Sequence, residues 1–503
     1  MNSGPLMRTL LHMSLLAGLL ACGMALPSQA ANGPILSTVG SKGPVSMPVD
    51  GDGWSMFRMP SSIAWNWDHQ IDLDVFLFGG TTTMRNRLND YESSGTTFGA
   101  NGGFVFAPGR IDDDASDEEW DAYSAARKFT LGFGVFVDMA GGTGEASEIR
   151  WQTFPETLPS RAGIQFIAPT LSAAFTPTDW LAIGLGLHAI NGTVSIRTLT
   201  GGDSTPLEGS PQINGVPLPG NPSYSDFLDL FSNDTTASDP TTYFNSDVEA
   251  WQYAATLSIS FKPMENLGFG FSYRPRSWAP QPFEGDGFVN AERTFSEAIG
   301  GLDASIQSLF FATLPNGGNN GFISNYDVEL SGLRVPRQVR LSAVFWPIPR
   351  LLIGAELAWI EWHRAFRAFK VTLKNGDNAD LNFVTGSSTI NSSLSQRWKN
   401  TWVYSLYAAY GINDMLTIRA GLNYSEVPVN HDVSNNSPNS AFVTLNMSLG
   451  ASLNFERVSL HALFEYSPYQ SRQSNARPQS ATGKFTTYSA RQWFLHLGAT
   501  FRF

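Results

Sequence analysis

Residues 493–503, Trp-Phe-Leu-His-Leu-Gly-Ala-Thr-Phe-Arg-Phe, decide the fold of this chain. Every second side chain from Trp493 to the terminal Phe503 is apolar, and the side chains between them include His496, Thr500 and Arg502. Because successive side chains of a β-strand point to opposite faces, this segment has one apolar and one polar face. The pattern predicts a membrane-spanning β-strand, and the alternative is a half-buried strand of a soluble protein.

The same alternation recurs in four other segments of the chain. Apolar side chains take every second position in residues 71–77, 351–359, 416–424 and 458–466. The opposite faces carry charged residues, among them Asp72, Asp74, Glu356 and Arg419. A charge costs little where it faces a wet lumen, but about 2–4 kcal/mol on the lipid face at mid-depth. The recurrence therefore favours membrane strands.

The connections between these segments are of two kinds. Short turns alternate with longer polar stretches, of which the longest are residues 199–248 and 280–326. Short turns at one end and long loops at the other are the rule for outer-membrane barrels. About 14 strands fit between the connections, and an even number returns both ends of the barrel to the periplasmic side. We predict an all-β fold, a 14-stranded antiparallel transmembrane β-barrel over residues 70–503, closed because lipid cannot satisfy an open sheet edge.

The composition agrees with many long strands and excludes other classes of protein. The chain has 503 residues, of which 42% are hydrophobic and only 15% are charged. A net charge of −12 argues against a nucleic-acid partner. A single cysteine excludes a disulfide scaffold. No apolar run of about 18 residues, as a membrane helix requires, follows the N-terminal segment.

Residues 1–30 are predicted to be a signal peptide. Arg8 supplies positive charge, Leu10 to Leu26 form an apolar run, and Ser28-Gln29-Ala30 provides small residues for cleavage after Ala30. The segment around Cys22 leaves a lipoprotein signal as the alternative. We therefore expect export and location in the bacterial outer membrane as a multi-pass barrel.

Residues 31–69 precede the first strand and lack its alternation. They carry many large apolar side chains, including Trp54, Phe57, Ile63, Trp65 and Trp67. A disordered tail would not hold so many aromatic residues, and a barrel of about 14 strands is too wide for its own side chains to fill. We predict that residues 31–69 form a plug inside the barrel. The alternative is a periplasmic arm or a tail that binds a partner.

The sequence lacks the motifs of an enzyme. Its seven histidines are scattered, and it contains neither a Gly-x-Ser-x-Gly elbow nor a His-Glu-x-x-His motif. The acidic residues 112–114 and 117–119 lack the Gly and the terminal Glu of a calcium loop. We predict no enzyme activity, no catalytic residue, no metal site and no cofactor.

Several local motifs, taken in their order and spacing, resemble the FadL/TodX family of outer-membrane channels for hydrophobic compounds. Met59-Pro60-Ser61 stands where the family carries Asn-Pro-Ala at the end of its N-terminal hatch, and it keeps only the Pro. The segments that resemble strands seven to eleven of the family are Phe269-Gly270-Phe271 with Tyr273-Arg274, Val335-Pro336, Ala358 to Trp362 with Phe366, Trp398-Lys399-Asn400-Thr401-Trp402, and Ile418 to Gly421 with Val427-Pro428-Val429. The resemblance extends over residues 31–503.

This resemblance implies a hatch that blocks the lumen, containing Trp54, Phe57, Pro60 and Ser61. It also implies that substrate leaves sideways through a gap at a kink in the third strand. That strand ends here at Gly141-Gly142, and glycine in a strand marks a bulge or a close approach. The alternative for these glycines is the start of a flexible loop.

Two loops carry apolar residues suited to capturing a hydrophobic ligand. They are Phe227 and Phe231 in residues 199–248, and Phe310 and Phe311 in residues 280–326. Exposed apolar residues usually mark an interaction site. The alternative is that the loops pack on each other. The resemblance further implies that the mature N-terminus, including Ile35 and Leu36, reaches into the ligand pocket.

An acidic substrate would need a cation near its carboxylate. Lys399 stands where the family carries a Lys, and Arg419 is on the predicted lumen face. Arg274 and Arg340 are further candidates. The alternative for each is a lumen salt bridge with one of three carboxylates, Glu356, Asp72 or Asp74.

The resemblance implies uptake of hydrophobic small molecules, and the basic lumen residues favour long-chain fatty acids over aromatic or aliphatic hydrocarbons. A general diffusion porin and a structural adhesin are the rival functions. The expected partners are the hydrophobic ligand, outer-membrane lipid and lipopolysaccharide, and the barrel-assembly machinery, which would bind the C-terminal Phe503.

Overall fold

The structure is a computed structural model that describes most of the chain. The described residues are 45–49, 51–66, 68–85, 90–107, 116, 128–142, 147–150, 157–200, 210–213, 215–223, 242–300, 303–395, 398–428, 444–473 and 487–503. The predicted signal peptide and residues 31–44 lie outside these ranges.

Strands dominate the described residues. They are β1 (Gln70–Arg85), β2 (Asp90–Phe106), β3 (Phe129–Gly142), β4 (Ser147–Arg150), β5 (Thr157–Thr178), β6 (Leu181–Thr200), β7 (Gln212–Ile213), β8 (Val216–Pro217), β9 (Thr242–Met264), β10 (Leu267–Arg274), β11 (Phe283–Asn290), β12 (Ile323–Ser331), β13 (Arg337–Ile348), β14 (Leu351–Glu361), β15 (Ala368–Lys374), β16 (Ile390–Ser395), β17 (Thr401–Gly411), β18 (Leu416–Ser425), β19 (Leu445–Asn454), β20 (Val458–Gln473) and β21 (Thr487–Arg502). The helices are α1 (Ser55–Arg58), α2 (Glu292–Gly300), α3 (Ala304–Thr313), α4 (Trp362–Ala365) and α5 (Ala379–Thr385), and Pro60–Trp65 form a 3-10 helix. None of the described helices has the length and apolarity needed to cross a membrane.

Fourteen of these strands form a closed antiparallel barrel, which confirms the predicted fold. They are β1, β2, β3, β5, β6, β9, β10, β13, β14, β17, β18, β19, β20 and β21, and each pairs with the next. Strand β21 closes the barrel against β1, in a register from Gln70 opposite Arg502 to Arg85 opposite Thr487. The ladder between β2 and β3 is short, running only from Gly102 opposite Val135 to Phe106 opposite Leu131, so beyond this level the described residues on the facing edges of these two strands are not paired with each other.

The C-terminal strand has the two faces that its alternation predicts. Leu495 and Leu497 are exposed on the outside, whereas His496 and Thr500 are buried on the lumen side. The two aspartates of β1 also face the lumen and are buried. An apolar outside and a polar inside are what a barrel in lipid requires.

The predicted short turns lie together at one end of the barrel, which we call the short-turn end. The C-terminus is at this end too, where Phe503 N donates to His69 O at 3.0 Å. The opposite, long-loop end carries the long connections. In bacterial barrels of this kind the short-turn end faces the periplasm.

Toward the long-loop end, four neighbouring wall strands are interrupted at a similar level. Residues 275–282, 332–336, 362–367 and 398–400 separate the lower strands β10, β13, β14 and β17 from the upper strands β11, β12, β15 and β16. Strand β11 pairs with β12 and with the upper part of β9. The predicted loop 280–326 is therefore partly sheet. Strand β9 has 23 residues; β6 pairs with one edge of its upper part, and without β11 the other edge would be open.

Exposed tryptophans mark two levels on the outside of the barrel. Trp180 lies at the short-turn end, against Phe261 of β9, and Trp251 lies ten residues before Phe261 on the same strand. Both tryptophans are 49% exposed. Ten residues span roughly 33 Å of strand, which at a tilt of about 40° gives the ~25 Å height of an apolar membrane band. The strand interruptions therefore lie near the upper edge of the band.

Candidate functional site

Residues 45–49 and 51–66, which we call the inner segment, lie inside the barrel at its short-turn end. Almost all of them are buried. Phe57, Ile63 and Trp65 join one hydrophobic core with wall residues such as Val105 and Phe136. The hydrophobic core therefore includes the contact between the lumen wall and the inner segment, and it continues toward the long-loop end, where Phe310 and Phe366 belong to the same cluster.

Glycines on the lumen face of the wall allow the inner segment to approach closely. A Cβ added at Gly184 would lie 2.6 Å from Ser61 Cα, and one added at Gly103 would lie 2.6 Å from the carbonyl oxygen of Gly53. Three further glycines receive methionine side chains of the inner segment in the same way, namely Gly132, Gly134 and Gly270. A larger residue at Gly184 or Gly103 would displace backbone, which cannot yield as a side chain can.

Three buried hydrogen bonds tie the backbone of the inner segment to three different wall strands. They run from Gly53 N to Asp72 Oδ2 at 2.7 Å, from Ser46 N to Glu356 Oε2 at 2.9 Å, and from Ser61 N to Ser258 Oγ at 2.7 Å. Two of the acceptors are carboxylates, and hydrogen bonds to charged groups are each worth about 1.5–3 kcal/mol. The predicted hatch residues Pro60 and Ser61 are thus part of a fixed contact.

A group of buried charges lies farther from the short-turn end and joins Arg58 of the inner segment to residues of the wall. Its members, which we call the charged layer, are Arg58, Arg274, Arg340, Asp138 and Glu356. Arg340 Nη1 lies 2.6 Å from Glu356 Oε1, and Arg274 Nη2 lies 3.1 Å from Asp138 Oδ1. Both ion pairs are buried in the lumen.

The aromatic ring of Phe57 connects the charged layer to the wall. It stacks on Phe136 of β3 at 5.2 Å between centroids and meets the ring of His188 edge-on at 4.9 Å. The guanidinium carbon of Arg274 lies 5.3 Å from the centre of the Phe57 ring. Trp54 also contacts Phe136, at 6.1 Å. The predicted hatch residues Trp54 and Phe57 therefore touch strand β3 directly.

Arg274 and Arg340 both make salt bridges in the lumen. A lumen salt bridge is the alternative to ligand binding for each of them. Arg340 pairs with Glu356, one of the carboxylates considered from the sequence. Arg274 pairs instead with Asp138, which the sequence did not single out. A role for Arg274 in ligand binding remains a prediction.

Arg419 lies on the lumen face of β18 and has neutral partners. Its guanidinium donates to Ser452 Oγ and lies 3.4 Å from His461 Nδ1. Among the described residues, no carboxylate is within ion-pair distance of it. His461 continues the chain of hydrogen bonds to Thr500, and Thr500 donates to Asp72. Arg419 is thereby linked to the carboxylate that holds the inner segment.

Lys399 and Arg419 are far apart in the structure. Lys399 is exposed near the strand interruptions, where its backbone nitrogen donates to Pro428 O at 2.7 Å. Ala409, the cross-strand partner of Arg419, is ten residues along the chain from Lys399, or roughly 33 Å of extended strand. The two cations therefore cannot hold one carboxylate together.

A second polar group lies higher on the same side of the lumen. His496 Nδ1 lies 3.2 Å from Asp74 Oδ2, and His496 Nε2 lies 3.1 Å from Glu465 Oε1. Asn446 donates to Glu465 as well. Strands β18 to β21 and β1 therefore form a polar side of the lumen.

The predicted capture residues of residues 280–326 lie on α3. Phe310 is fully buried and lies 6.4 Å from Phe295 of α2. Phe311 is partly buried beside it. Phe310 therefore packs within its own loop, as the alternative to ligand capture describes. The other predicted ligand contacts, Ile35, Leu36, Phe227 and Phe231, lie outside the described residues.

The irregularity of β3 lies before the two glycines predicted to form a kink. Gly141 and Gly142 pair regularly with Ile164 and Gly163 of β5. The register shifts between Val137 and Met139, so that Asp138 is the extra residue. The sequence signal for this position is a charged residue within an otherwise apolar strand.

Four aspartates of the described residues lie close together near the long-loop end. Asp247, Asp286 and Asp327 are direct cross-strand neighbours on β9, β11 and β12, and they line an open groove of about 500 Å³ together with Asp377. Across the part of the chain that the structure describes, no three acidic, histidine or cysteine side chains are placed to hold a metal ion.

Comparison with known proteins identifies the chain. A family model described as outer membrane protein transport protein (OMPP1/FadL/TodX) matches residues 122–503. The chain belongs to the OMPP1/FadL/TodX family. Members of this family are outer-membrane transporters of hydrophobic compounds, and family and fold together place this protein in the bacterial outer membrane.

Solved structures of similar fold include three proteins of this kind. The Ralstonia pickettii toluene transporter TbuX is 14% identical, with 94% of this chain and 98% of that chain covered and a TM-score of 0.60. A Pseudomonas aeruginosa FadL homologue is 17% identical, with 95% and 99% covered and a TM-score of 0.63. The P. putida toluene transporter TodX is 14% identical, with 94% and 99% covered and a TM-score of 0.63. A search of curated proteins finds no match.

Proposed function

We propose that this OMPP1/FadL/TodX protein takes up long-chain fatty acids across the outer membrane, with the inner segment as its hatch. The observation that carries the proposal is the apolar contact of the inner segment with the wall at the short-turn end. Met56 and Ile63 are fully buried there, and Met56 lies against Gly132 of the wall. A general diffusion porin needs an open polar lumen, which this packing does not favour.

The proposed route begins at the long-loop end and follows aromatic side chains. Near the strand interruptions, Trp362, Phe366 and Trp398 form a buried cluster in which Phe366 and Trp398 stack at 4.5 Å. Apolar burial contributes about 25 cal/mol for each Å² removed from water, so an alkyl chain that inserts among these side chains would be retained there. The ligand then reaches Phe57 and leaves sideways at the irregular part of β3, where lipid is adjacent.

The basic residues along this route favour an acid as the substrate. Lys399 lies near the strand interruptions, Arg274 in the charged layer and Arg419 near the short-turn end. A neutral hydrocarbon is the second candidate, and the ion pairs of Arg274 and Arg340 support it, because a paired cation offers less to an incoming carboxylate. TbuX and TodX are toluene transporters by name.

The remaining partners are proposed from the position of the barrel. Outer-membrane lipid and lipopolysaccharide would surround the apolar outer face, and the assembly machinery would bind Phe503, whose surface is 45% exposed. We propose no catalytic role.

Ligand binding to the detergent-purified protein tests this function. We expect saturable binding of oleate, weakened in Arg419→Ala or Lys399→Ala, while binding of toluene stays unchanged. A lost charge-assisted hydrogen bond of about 1.5–3 kcal/mol weakens binding by roughly ten- to hundredfold. Arg350→Ala is the matched control, because Arg350 is exposed and pairs with Asp414 at the short-turn end.

Deleting residues 31–60 separates a hatch-gated channel from a porin. A porin would keep its permeability to polar solutes, whereas a gated channel would lose ligand binding and begin to leak them. Tight toluene binding that ignores both alanine variants would favour the hydrocarbon channel. Absence of saturable binding for both ligands would contradict the proposed function.

A further inference from the structure

Strand β3 carries one extra residue beside the inner segment. Val137 pairs with Ile167 and Met139 with Phe166, so Asp138 has no partner on β5. A β-bulge of this kind redirects a side chain and bends the strand. Asp138 is 2% exposed, and its carboxylate is 3.1 Å from Arg274 across the lumen.

The ion pair of Asp138 with Arg274 leaves one polar atom of each side chain without a hydrogen bond. Arg274 Nη2 meets Asp138 Oδ1, but Arg274 Nε and Asp138 Oδ2 are buried without a hydrogen-bond partner among the described residues. Guanidinium and carboxylate groups bond most strongly through two parallel hydrogen bonds. Arg274 therefore keeps bonding capacity for a better-placed carboxylate.

The neighbouring pair in the charged layer is more completely bonded. Arg340 donates to Glu356 and to Gln338, and Glu356 also accepts from Ser46 N. The less satisfied pair, at Arg274, is where an anion would compete.

The same arginine is in contact with the inner segment and, through it, with β3. Its guanidinium lies over the Phe57 ring at 5.3 Å, and that ring stacks on Phe136, two residues before the bulge. A change in the bonding of Arg274 therefore acts on the bulge directly through Asp138 and indirectly through Phe57.

We propose that Asp138 occupies the place of a ligand carboxylate, and that an acidic ligand displaces it from Arg274 and so releases the bulge of β3. A buried carboxylate that loses its partner is strongly disfavoured, so Asp138 moves toward water and the strand moves with it. A neutral ligand leaves the pair intact. This inference rests on the proposed function, since it requires a hydrophobic ligand in the lumen.

Binding of two ligands with the same hydrocarbon tail tests the displacement of Asp138 by a ligand carboxylate. Oleate is the acid, and methyl oleate is the neutral ester. In Asp138→Asn the internal competitor loses its charge, so oleate binding tightens about tenfold and ester binding is unchanged. In Arg274→Lys the forked donor is lost, so oleate binding weakens about tenfold and ester binding is again unchanged. Asp90→Asn, which neutralises the exposed partner of Arg85, changes neither.

Amide exchange in peptides covering Phe129–Gly142 tests the release of the bulge. We expect oleate, but not the ester, to raise exchange in the wild type, and Asp138→Asn to show raised exchange without ligand. Two results would overturn the displacement of Asp138 while leaving the proposed uptake intact. One is an equal effect of Asp138→Asn on the binding of both ligands, and the other is amide exchange in β3 that oleate does not change. If the wild type binds neither ligand saturably, both the displacement of Asp138 and the proposed function are overturned.

Discussion

Replacing Gly184 by alanine should displace the inner segment without unfolding the barrel. The added Cβ would lie 2.6 Å from Ser61 Cα and closer still to Ser61 N. Both obstacles are backbone atoms of the 3-10 helix, and Gly184 itself is fixed in β6 between β5 and β9. Neither side can yield by turning a side chain, so we expect the inner segment to move.

The size of the effect follows from what this movement breaks. Ser61 N loses its hydrogen bond to Ser258 Oγ, and an unsatisfied buried N–H costs about 1–3 kcal/mol. The hydroxyl pair of Ser61 with Ser260 contributes about 0.5–1.5 kcal/mol more. Overpacking costs typically 1–3 kcal/mol. Together these terms destabilise the docked position by about 3–7 kcal/mol, and 3 kcal/mol already shifts the ratio of docked to displaced molecules more than a hundredfold.

Single-channel conductance in planar bilayers measures the displaced fraction. We expect the wild type to pass little current and Gly184→Ala to open persistently. Gly186→Ala is the matched control on the same strand and face, because the nearest atoms to its Cβ would be side-chain atoms of His188 and Ser172, at 3.3 Å or more. Heat-modifiable mobility on a denaturing gel verifies that each barrel is folded.

One result of the conductance measurement would refute this reasoning. If Gly184→Ala is folded and conducts no more than Gly186→Ala, the inner segment does not depend on close approach at this glycine. The displacement estimate would then be wrong, and the hydrogen bonds of Ser61 would not be what holds the segment in the lumen.

Two other predictions concern charge. Arg340→Met leaves Glu356 buried without its guanidinium partner and should lower the free energy of unfolding in lipid vesicles by about 3–5 kcal/mol. The control Arg350→Met breaks an exposed ion pair and should lower it by about 0–1 kcal/mol. Equal losses in the two variants would contradict the argument from burial. Near the long-loop end, hydrogen bonds from the Asn325 side chain and backbone lower the pKa of Asp377. A lowered pKa in the folded protein means that the stabilisation is present above the usual pKa of an aspartate and is lost as the pH falls through the lowered one. Hydrogen exchange of the Asn325 backbone amide, corrected for its intrinsic pH dependence, should therefore accelerate on acidification. In Asp377→Asn the same amide should exchange fast already at neutral pH. An Asp377→Asn protein with the wild-type pH profile of exchange would contradict this prediction.

The fold was predictable from the sequence because a strand in lipid must alternate. Residues 493–503 could be assigned two faces, and the structure exposes Leu497 and buries Thr500 accordingly. The strand number was predictable because short and long connections alternate as well. The interrupted wall was not, since β11 pairs with the upper part of β9, and this pairing joins residues that are far apart along the chain.

The sequence by itself determined the class of the molecule, the aromatic content of its N-terminal segment and the presence of basic residues on lumen faces. Only the tertiary structure decided which of these residues meet. It separated Lys399 from Arg419, paired Arg340 with Glu356, and brought Asp138 of β3 to Arg274 of β10. It also turned glycines of several strands into one surface for the inner segment. The physical reason is that alternation fixes which face a side chain takes, whereas the curvature of a closed barrel fixes which faces oppose each other across the lumen.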